Sequence, residues 1–502
     1  MNGAQMVWES LVREGVDVIF GYPGAASIPL YDALPDYPQI HHVLTRHEQG
    51  AAHAADGYAR ATGRVGVCLA TSGPGATNLV TGIATAFADS VPLMVITVQV
   101  ARSAIGRDAF QEVDITGITL PITKESHLVL DIESLPRIIK EGFHLARTGR
   151  PRPVLIDISK DVLAEDADYV YPEVLELPGY QPTLAGHPAQ IKRAAKLVNE
   201  AARPLLIAGR GVSIARADAE LRRLAERAAI PVATTLLGSG GFPENHPLNG
   251  GWWGTPSVSE ALAAADLVIA VGTRLDGHLP GKIIHVDIDP AEIGRSLKAD
   301  VPIVGDARQV LGALSKVVAE GNHRDWLKNI EKWRGGMSQA EMKAGGALGA
   351  PEVMRRLYEV TGDAAVITTG LGQHPDWVPS GGNDQRGCLI ASGELATPGF
   401  ALPAAIGAKI GRPQDTVWSI DSDTGFRATM REMGTITQEG LAVKMAVLNS
   451  GQNPGGPDFV KLAAAYDVPG RRVESGEGVV PALTQALAED GPFLIDFAVT
   501  AD

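Results

Sequence analysis

Short apolar runs alternate with helical patterns along most of this chain, and this alternation limits the folds that the chain can adopt. The clearest cycle spans residues 417–456 and consists of an apolar run (417–420), an acidic turn (421–425), a helical pattern (426–438), a second apolar run (443–448) and a polar turn beginning at 449. This order predicts two parallel strands joined by a helix, a βαβ unit. Ligands of parallel sheets bind at the carboxyl ends of the strands, so we expect Asp423 and Ser450 to lie at one edge of a sheet.

Asp423 and Ser450 have two interpretations. Carboxylate and hydroxyl oxygens are hard ligands, which suit a Mg²⁺ ion that carries a diphosphate. Alternatively, the stretch is an ordinary βαβ unit in which Asp423 caps the following helix, because Asp is a common N-cap residue. The residues alone leave both interpretations open.

The same alternation divides the chain into three α/β blocks. We predict domains at residues 1–170, 191–320 and 351–502, separated by a Pro-rich linker at 171–190 and a charged connector at 321–350. A chain of 502 residues is long enough for about three domains of ordinary size. The predicted fold class is α/β, with doubly wound parallel sheets. The apolar runs that predict strands are residues 16–20, 65–70, 93–98, 154–158, 204–208, 231–235, 267–271, 283–288, 365–368, 417–420, 443–448 and 493–498.

Composition and charge exclude several classes of function. The formal net charge is −14 and no long basic run is present, so nucleic acid and anionic membrane surfaces are poor partners. The two cysteines, Cys68 and Cys388, lie far apart in the sequence, which argues against a disulfide framework or a zinc site. No apolar run approaches the length of a membrane span, and the N-terminus lacks the basic start and apolar core of a signal peptide. These features predict a cytoplasmic protein.

Two turns of the first block carry candidate binding residues. Glu48 opens an Ala-rich helical pattern, where it is either a residue that interacts favourably with the helix dipole or a functional carboxylate. Ser72 and Gly73 follow the second predicted strand, and they form either a plain cap and turn or a helix N-terminus that faces an anion. The pattern alone does not separate these possibilities.

One long stretch makes the chain recognisable. Residues 47–97, HEQGAAHAADGYARATGRVGVCLATSGPGATNLVTGIATAFADSVPLMVIT, resemble the thiamine-diphosphate enzymes of the acetolactate synthase (acetohydroxyacid synthase large subunit) type. The resemblance implies three doubly wound α/β domains, of which the first holds the aminopyrimidine of the cofactor, the central one FAD, and the third the diphosphate with Mg²⁺. It continues in the same order through almost the whole chain, at residues 108–124, 234–248, 271–276, 283–294, 301–307, 368–374, 403–413 and 457–468.

The resemblance also implies a reaction and a role for each site residue. The expected activity makes or breaks a C–C bond next to the carbonyl of a 2-oxo acid such as pyruvate, by decarboxylation and acyl transfer through a thiamine ylid. Glu48 would shift the pyrimidine to the imino tautomer that takes the C2 proton, Gln111 would face the reacting carbonyl, and Phe110 would line the pocket. The residues implied to bind thiamine diphosphate are Pro23, Gly24, Ser72, Gly73, Asn78, Gly372, Gln373 and His374, and the implied Mg²⁺ ligands are Asp423, Ser450 and the carbonyl of Gln452.

In the central block the resemblance implies a flavin site at the strand ends. Glycines there would allow the backbone to approach phosphate closely, and Arg274 would offset the charge of the diphosphate. Alternatively, the positions persist as scaffold after loss of the flavin. The positions concerned are Gly209, Gly211, Thr235, Leu236, Arg274, Asp276, Asp287, Ile293 and Asp306.

The chain departs from the family most at the diphosphate and Mg²⁺ site. Ser422 and Thr424 stand where the family has glycines on each side of the metal-binding Asp, and Ser450 stands where it has a second Asn. Side chains at the two glycine positions narrow the space for a diphosphate. The segment after the metal site is shortened to GQNPGG, and Trp252-Trp253 replaces a segment that normally contributes a His near the flavin. These tryptophans either stack on a flavin or substrate, or belong to the core.

Three functions follow from this mixture of retained and altered positions. The first is a thiamine-diphosphate enzyme with FAD as an auxiliary cofactor, supported by Glu48 and Gln111. The second is a flavoenzyme on the same scaffold that has lost thiamine diphosphate and has a specialised substrate. The third is a non-catalytic family member that pairs with an active subunit. In the family the two halves of a site come from different subunits, so a homodimer or homotetramer with sites at the subunit interface is implied.

Overall fold

The structure is a computed structural model that describes residues 1–337, 348–362, 365–370, 388–452 and 455–500. The described residues form two compact units. The first contains residues 1–178 together with nearly all described residues after 347, and the second contains residues 179–337. Each sheet of the molecule has six strands, and the N-terminal and C-terminal sheets both belong to the first unit.

The strands are short and mostly buried. Those of the N-terminal sheet are β1 (Val18–Tyr22), β2 (His41–Leu44), β3 (Gly66–Ala70), β4 (Leu93–Gln99), β5 (Glu125–Val129) and β6 (Val154–Ser159). Those of the central sheet are β7 (Pro204–Ala208), β8 (Val232–Thr234), β9 (Asn249–Trp252), β10 (Leu267–Val271), β11 (Lys282–Asp287) and β12 (Val301–Val304). Those of the C-terminal sheet are β13 (Val366–Thr369), β14 (Cys388–Ala391), β15 (Val417–Ser422), β16 (Val443–Asn449), β17 (Gly470–Val473) and β18 (Phe493–Ala498).

Helices connect the strands of each sheet. In the N-terminal domain they are α1 (Gly3–Arg13), α2 (Ile28–Ala33), α3 (Glu48–Thr62), α4 (Pro74–Asn78), α5 (Val80–Ala88), α6 (Ile115–Thr119), α7 (Leu135–Arg147) and α8 (Lys160–Ala164). The central unit contains α9 (Pro188–Glu200), α10 (Arg210–Ile214), α11 (Asp218–Ala228), α12 (Pro256–Ala264), α13 (Ala307–Val317) and α14 (Arg324–Met337). The C-terminal domain contains α15 (Ala350–Thr361), α16 (Ala401–Gly411), α17 (Asp423–Thr429), α18 (Met433–Gln438), α19 (Phe459–Ala464) and α20 (Gly476–Ala488). Among the described helices, none combines the length and the apolar character that crossing a lipid bilayer requires.

The strand orders confirm the predicted α/β class with three doubly wound parallel sheets. The N-terminal sheet has the order β2-β1-β3-β4-β6-β5, and the C-terminal sheet has the equivalent order β14-β13-β15-β16-β18-β17. The central sheet has the order β12-β11-β10-β7-β8-β9, which is the order of dinucleotide-binding folds read from the other edge. Strand β15 pairs in parallel with both β13 and β16, as the predicted βαβ unit requires.

The predicted strands are the inner strands of the three sheets. Every apolar run that predicts a strand overlaps an observed one. The six strands that no apolar run predicts are β2, β5, β9, β12, β14 and β17, which are the two edge strands of each sheet. An edge strand is covered less completely than an inner strand, so its sequence does not need to be continuously apolar.

Helix α3 of the N-terminal domain packs against α16 of the C-terminal domain, and glycines bring the two backbones into direct contact. A Cβ on Gly57 would lie 2.1 Å from the carbonyl oxygen of Ala404, and a Cβ on Gly407 would lie 1.8 Å from that of Ala54. No side chain fits at either distance, so only glycine allows the two helices to approach this closely. This contact fixes α3, whose first turn carries Glu48, against the C-terminal domain.

We predict that Gly407→Ala lowers the free energy of unfolding of the first unit by about 1–3 kcal/mol, the usual cost of overpacking. Gly312→Ala is a matched control, because Gly312 also lies inside a helix, α13, and its nearest neighbour to a new Cβ is 3.7 Å away. The control should raise stability by up to about 1 kcal/mol, since alanine is the better helix former. Denaturant unfolding followed by circular dichroism measures both effects. Wild-type stability of Gly407→Ala would contradict the helix contact described here.

Candidate functional site

The strand order of each sheet reverses at one point, and candidate residues of all three domains follow the strands at these points. The reversal lies between β1 and β3 in the N-terminal sheet, between β7 and β10 in the central sheet, and between β13 and β15 in the C-terminal sheet. Loops that leave two such strands diverge to opposite faces of the sheet, and the crevice between them is the usual ligand site of a doubly wound fold. Three crevices of this kind are therefore available, two of them in the first unit.

Glu48 is a buried carboxylate in the first turn of α3. Its side chain is 8% exposed, and its Oε2 accepts a hydrogen bond of 2.9 Å from Nδ2 of Asn78. The N-cap of α3 is His47, whose Nδ1 accepts from the backbone N–H of Gln49. Glu48 is therefore not the capping residue. A buried carboxylate held by one amide donor has a second oxygen that remains available for a ligand.

Two glycine turns meet at Thr71 at the reversal point of the N-terminal sheet, and one of them approaches Glu48. A Cβ on Gly24 would lie 2.3 Å from Cγ2 of Thr71, and one on Gly75 would lie 2.7 Å from the same atom. The Gly75 position also lies 3.3 Å from Oε1 of Glu48. Thr71 holds the first turn through its Oγ1, which accepts from the backbone N–H of Ala26. Thr71 directly follows β3, next to the predicted residues Ser72 and Gly73, but it is not itself among the predicted site residues.

Gln111 lies against the same edge in a strained backbone conformation. Its φ is +59°, and its Cβ lies 2.8 Å from the position that a Cβ on Gly73 would take. Gly73 itself has a φ of +58°, so glycine is required there both by conformation and by space. A non-glycine residue in the left-handed region costs about 1 kcal/mol or more and is common at functional sites. The neighbouring Phe110 is 85% exposed.

A buried polar chain fixes the loop that carries Gln111. Nε2 of Gln99 donates to the carbonyl oxygen of Val113 at 2.7 Å and to Oδ2 of Asp157 at 3.0 Å. The other oxygen of Asp157 accepts from Oγ1 of Thr97 at 2.8 Å. Burial raises the pKa of Asp157 to about 6, against the opposing effect of these two hydrogen bonds. The loop is thus tied to β4 and β6 inside the domain.

The remaining predicted residues of this domain differ in solvent exposure. Pro23 is exposed, whereas Ser72 is 4% exposed and its carbonyl oxygen accepts from the backbone N–H of Gly75. The N-cap of α4 is Gly73, without a side-chain cap, so Ser72 does not cap this helix. The structure thus brings Gly24, Glu48, Gly73, Asn78 and Gln111 to one edge of the N-terminal sheet.

Asp423 begins α17 at the carboxyl end of β15 and is 5% exposed. The interpretation of Asp423 as the N-cap is wrong, because the cap is Ser422, whose Oγ accepts from the backbone N–H of Gly425 at 3.1 Å. Ser422 lies opposite Leu448 in the register of β15 and β16. Asp423 and Ser450 therefore emerge from adjacent strand ends, as the sequence predicts.

The residues around Asp423 are rich in oxygen atoms. Asn449, at the end of β16, donates from Nδ2 to Oδ1 of the buried Asp496 at 3.0 Å, and the hydroxyl of Ser450 lies 3.4 Å from the backbone N of Gln452. Burial raises the pKa of Asp496, and the charge of Asp423 adds to this effect. Within the described residues, no group of three or more His, Cys, Asp or Glu side chains is arranged to hold a metal ion.

Asp421 is a fully buried carboxyl beside this cluster. Its Oδ1 accepts from the backbone N–H of Ser422, while its Oδ2 has no hydrogen-bond partner among the described residues. Burial raises its pKa to about 8. Added Cβ atoms on Gly370 and Gly425 would lie 2.4 and 2.0 Å from Oδ1, so the carboxyl occupies the space between two bare backbones. The predicted diphosphate residues Gly372, Gln373 and His374 lie outside the described residues.

In the central unit the predicted flavin residues follow five adjacent strands. Gly209 and Gly211 follow β7, Thr235 and Leu236 follow β8, Arg274 and Asp276 follow β10, Asp287 ends β11, Ile293 lies in the loop after it, and Asp306 follows β12. Several of them have local structural roles. Thr235 caps a short 3-10 helix by accepting from the N–H of Gly238, and Asp306 caps α13 by accepting from that of Gln309.

The central glycines are explained by close packing of two turns. A Cβ on Gly209 would lie 2.4 Å from the carbonyl oxygen of Gly272, and one on Gly211 would lie 2.6 Å from the Cα of Gly272. Gly272 has a φ of +57°. These glycines are needed where the turns after β7 and β10 meet, whether or not a phosphate lies above them.

The two adjacent tryptophans have different environments. Trp253 packs against the hydrophobic core formed by β7, β10 and α12. Trp252 lies over Gly254, where an added Cβ would be 2.0 Å from its ring. Trp253 is partly buried and packs against the core, as one of the two interpretations predicts, whereas Trp252 remains a candidate for contact with a ligand.

Comparison with known proteins agrees with this architecture. The N-terminal TPP-binding domain model of the thiamine pyrophosphate enzymes matches residues 1–118, the central domain model matches 191–314, and the C-terminal TPP-binding domain model matches 370–453 and 449–497. Three doubly wound domains with a buried glutamate at the first crevice thus define a thiamine pyrophosphate enzyme, and the chain belongs to this family.

Its relatives are acetolactate synthases. An acetolactate synthase of Arthrospira platensis is 44% identical, covering 100% of this chain and 95% of that protein. An acetolactate synthase of Mycobacterium bovis is 45% identical, and the match covers 100% of this chain and 88% of that protein. A probable acetolactate synthase large subunit of Methanocaldococcus jannaschii is 42% identical, and the match covers 99% of this chain and 92% of that protein. The protein is therefore an acetolactate synthase-like enzyme of the thiamine pyrophosphate family.

The comparisons also locate a shortened segment. The match to the Arthrospira protein extends over 551 positions, although this chain has 502 residues, a difference of 49 positions. The C-terminal domain model matches in two parts that meet at residues 449–453. This break coincides with the GQNPGG segment that follows Asn449–Ser450, at the predicted Mg²⁺ site.

Proposed function

We propose that the protein joins or cleaves a C–C bond next to the carbonyl of a 2-oxo acid such as pyruvate, using thiamine diphosphate and Mg²⁺. The observation that carries this proposal is the buried Glu48, held by Asn78, in a chain that is similar to acetolactate synthases over its whole length. When bound, thiamine diphosphate supplies a carbon nucleophile and stabilises the negative charge left by decarboxylation.

The N-terminal residues fit the aminopyrimidine end of this cofactor. Glu48 offers a buried carboxylate to a ring nitrogen, and Asn78 keeps that carboxylate in one orientation. The bare backbones of Gly24 and Gly75 let Thr71 pack closely between their turns, and the Gly75 turn approaches Oε1 of Glu48. Gln111, held on its strained loop, supplies an amide that orients the substrate carbonyl.

The C-terminal residues fit Mg²⁺ by the chemistry of their donors. Asp423 supplies a carboxylate, Ser450 a hydroxyl and Gln452 a backbone carbonyl, which are the hard oxygen ligands that Mg²⁺ prefers. Mg²⁺ commonly takes its further ligands from substrate phosphates and water, so three protein ligands are sufficient. The side chain of Ser422 is engaged as a helix cap and therefore points to the backbone of α17.

We propose that Glu48→Gln lowers kcat for pyruvate by about 10²- to 10⁴-fold, the range typical for loss of an acid–base group. Gln keeps the hydrogen-bonding shape but cannot carry the negative charge. Glu477→Gln is a matched control, because Glu477 also lies in the first turn of a helix, α20, but is exposed. It tests whether the helix dipole alone accounts for any effect. Equal turnover by wild type and Glu48→Gln would exclude the assigned role.

For the central unit we propose that FAD binds at the crevice between β7 and β10. The strand order of this sheet and the position of nine predicted residues along one edge support the proposal. Arg274 would pair with the diphosphate, and the close-packed turns at Gly209, Gly211 and Gly272 would form the floor below it.

FAD binding is tested by denaturing the purified protein and identifying the cofactor that it releases. We expect one FAD per chain in the wild type and at least about tenfold lower occupancy in Arg274→Ala, since a charged partner of the diphosphate is lost. Arg308→Ala is the control, because Arg308 is 62% exposed on α13 and pairs only with Glu220 in the salt bridges described. Wild-type protein that stays colourless after incubation with FAD would contradict the proposal.

We also propose that the protein acts as a homo-oligomer, a dimer or tetramer, with Phe110 near a second subunit. Phe110 is 85% exposed and Leu120 is 69% exposed, and both lie in the part of the N-terminal domain that follows β4. Apolar side chains with this exposure are expected at an interface. A homo-oligomer would also bring a second set of C-terminal residues to the N-terminal crevice.

A further inference from the structure

Glu432 is a buried carboxylate of the C-terminal domain that reaches into the N-terminal domain. It ends the short 3-10 helix Met430–Glu432, which directly follows α17, and its relative exposure is 0%. Burial raises its pKa, while the hydroxyl of Thr435 and the backbone and charge of Arg46 oppose that rise. A carboxylate in such a position requires several donors.

The donors of Glu432 come from both sides of the domain contact. Both carboxylate oxygens accept from the backbone N–H of Arg46, each at 3.1 Å. Oγ1 of Thr435 lies 2.8 Å from Oε2 of Glu432 and 3.2 Å from the carbonyl oxygen of Leu44. The carboxylate therefore binds the backbone that runs from the end of β2 into α3.

Glu432 also packs on the first turn of α3. A Cβ on Gly50 would lie 2.3 Å from Oε1 of Glu432, so the carboxylate rests on the bare Cα of this glycine. Arg46 and Gly50 lie two residues before and two residues after Glu48. One carboxylate thus contacts the chain on both sides of the candidate catalytic residue.

The guanidinium group of Arg46, in the N-terminal domain, binds residues of the C-terminal domain. Its Nη2 donates to the carbonyl oxygen of Gly434 at 2.9 Å and to Oε1 of Gln438 at 2.8 Å, and its Nη1 donates to the carbonyl oxygen of Leu44 at 2.8 Å. The backbone before α3 is therefore held by two reciprocal sets of hydrogen bonds. Such a fully satisfied network restricts motion more than a single pair does.

We propose that Glu432 is a positioning residue that holds Glu48 in its orientation toward the cofactor. Glu48 reaches Asn78 only if the first turn of α3 is fixed, and Glu432 fixes the backbone before and after it. The inference rests on the proposed function of Glu48 and extends it to a residue of the other domain. The same helical segment begins with Asp423 and ends at Glu432, which contacts residues on both sides of Glu48, so it connects the predicted metal ligand with the backbone around the predicted catalytic carboxylate.

The first test is amide hydrogen exchange of residues 44–52, which does not depend on any cofactor. In Glu432→Ala we expect exchange of these amides to be at least about tenfold faster than in wild type, because local opening becomes easier. Glu432→Gln keeps an acceptor for Arg46 and should stay within about threefold of wild type. Glu439→Ala is the matched control, since it removes another hydrogen bond between the same domains, from His41. Unchanged exchange in Glu432→Ala, or an equal change in Glu439→Ala, would overturn the proposal.

The second test separates positioning from general stability. For pyruvate turnover with thiamine diphosphate and Mg²⁺, Glu432→Ala should lower kcat at least about tenfold with KM within about twofold, since an orientation is lost rather than a substrate contact. Glu432→Gln should retain most of the activity. A decrease in kcat that Glu439→Ala reproduces, or a KM that changes as much as kcat does, would overturn the proposal. If wild type itself shows no turnover, the proposed function fails, and the exchange experiment still decides whether Glu432 holds the segment.

A double-mutant cycle tests the contact between Glu432 and Gly50, and its Gly50→Ala single variant covers the case in which Glu432→Ala folds poorly. Gly50→Ala alone would place a methyl group on the carboxylate and should accelerate exchange of residues 44–52 to a similar degree. Once Glu432 is shortened, Gly50→Ala should add less than about a twofold further change, because the two residues act through one contact. Fully additive effects of the two substitutions would contradict a direct contact between Glu432 and Gly50.

Discussion

The contact between α3 and α16 is the interaction on which the first unit depends. It brings Gly57 against the backbone of Ala404 and Gly407 against that of Ala54, so two helices from different domains meet without intervening side chains. A contact of this kind has no freedom to slide, because any displacement would bring backbone atoms into collision. Since α3 also carries Glu48, the position of the candidate catalytic carboxylate is determined by packing with the C-terminal domain.

A buried charge network reinforces the same contact. Arg60, one turn beyond Gly57, pairs with Asp56 and Asp89 at 2.5 and 2.9 Å and donates to the carbonyl oxygen of Ala391. Asp89 in turn accepts from the backbone N–H groups of two residues in the C-terminal domain, Gly393 and Glu394. A buried ion pair with all its partners satisfied contributes specificity more than stability, so the network favours this one arrangement of the two domains.

The apolar runs of the sequence predict much of the fold. The remaining elements depend on which other elements pack against them. Inner strands are apolar because both faces are covered, so all of them are predictable, whereas the six edge strands are not. The candidate Mg²⁺ site is likewise only partly predictable from the sequence. Asp423 and Ser450 are predictable because they follow apolar runs, but the choice of Ser422 as the cap of α17 depends on backbone geometry.

Residues that hold backbone distant in the sequence cannot be predicted from spacing. Thr71 and Glu432 each hold backbone far away in the sequence, at Ala26 and at Arg46. No spacing rule connects positions 386 residues apart, as Arg46 and Glu432 are. The family resemblance points to Glu48 and Gln111 because they occur in recognisable stretches, whereas no local sequence pattern marks Thr71 or Glu432.

The central claim is that this chain retains the thiamine diphosphate site although Ser422, Thr424 and Ser450 replace the usual residues around Asp423. Calorimetric titration of thiamine diphosphate into the purified protein tests it most directly, with Mg²⁺ in one experiment and a chelator in the other. We predict saturable binding heat with Mg²⁺ and its loss with the chelator, because the proposed ligands Asp423 and Ser450 would bind the diphosphate through the metal. Folded protein that gives no binding heat with Mg²⁺ would contradict the claim.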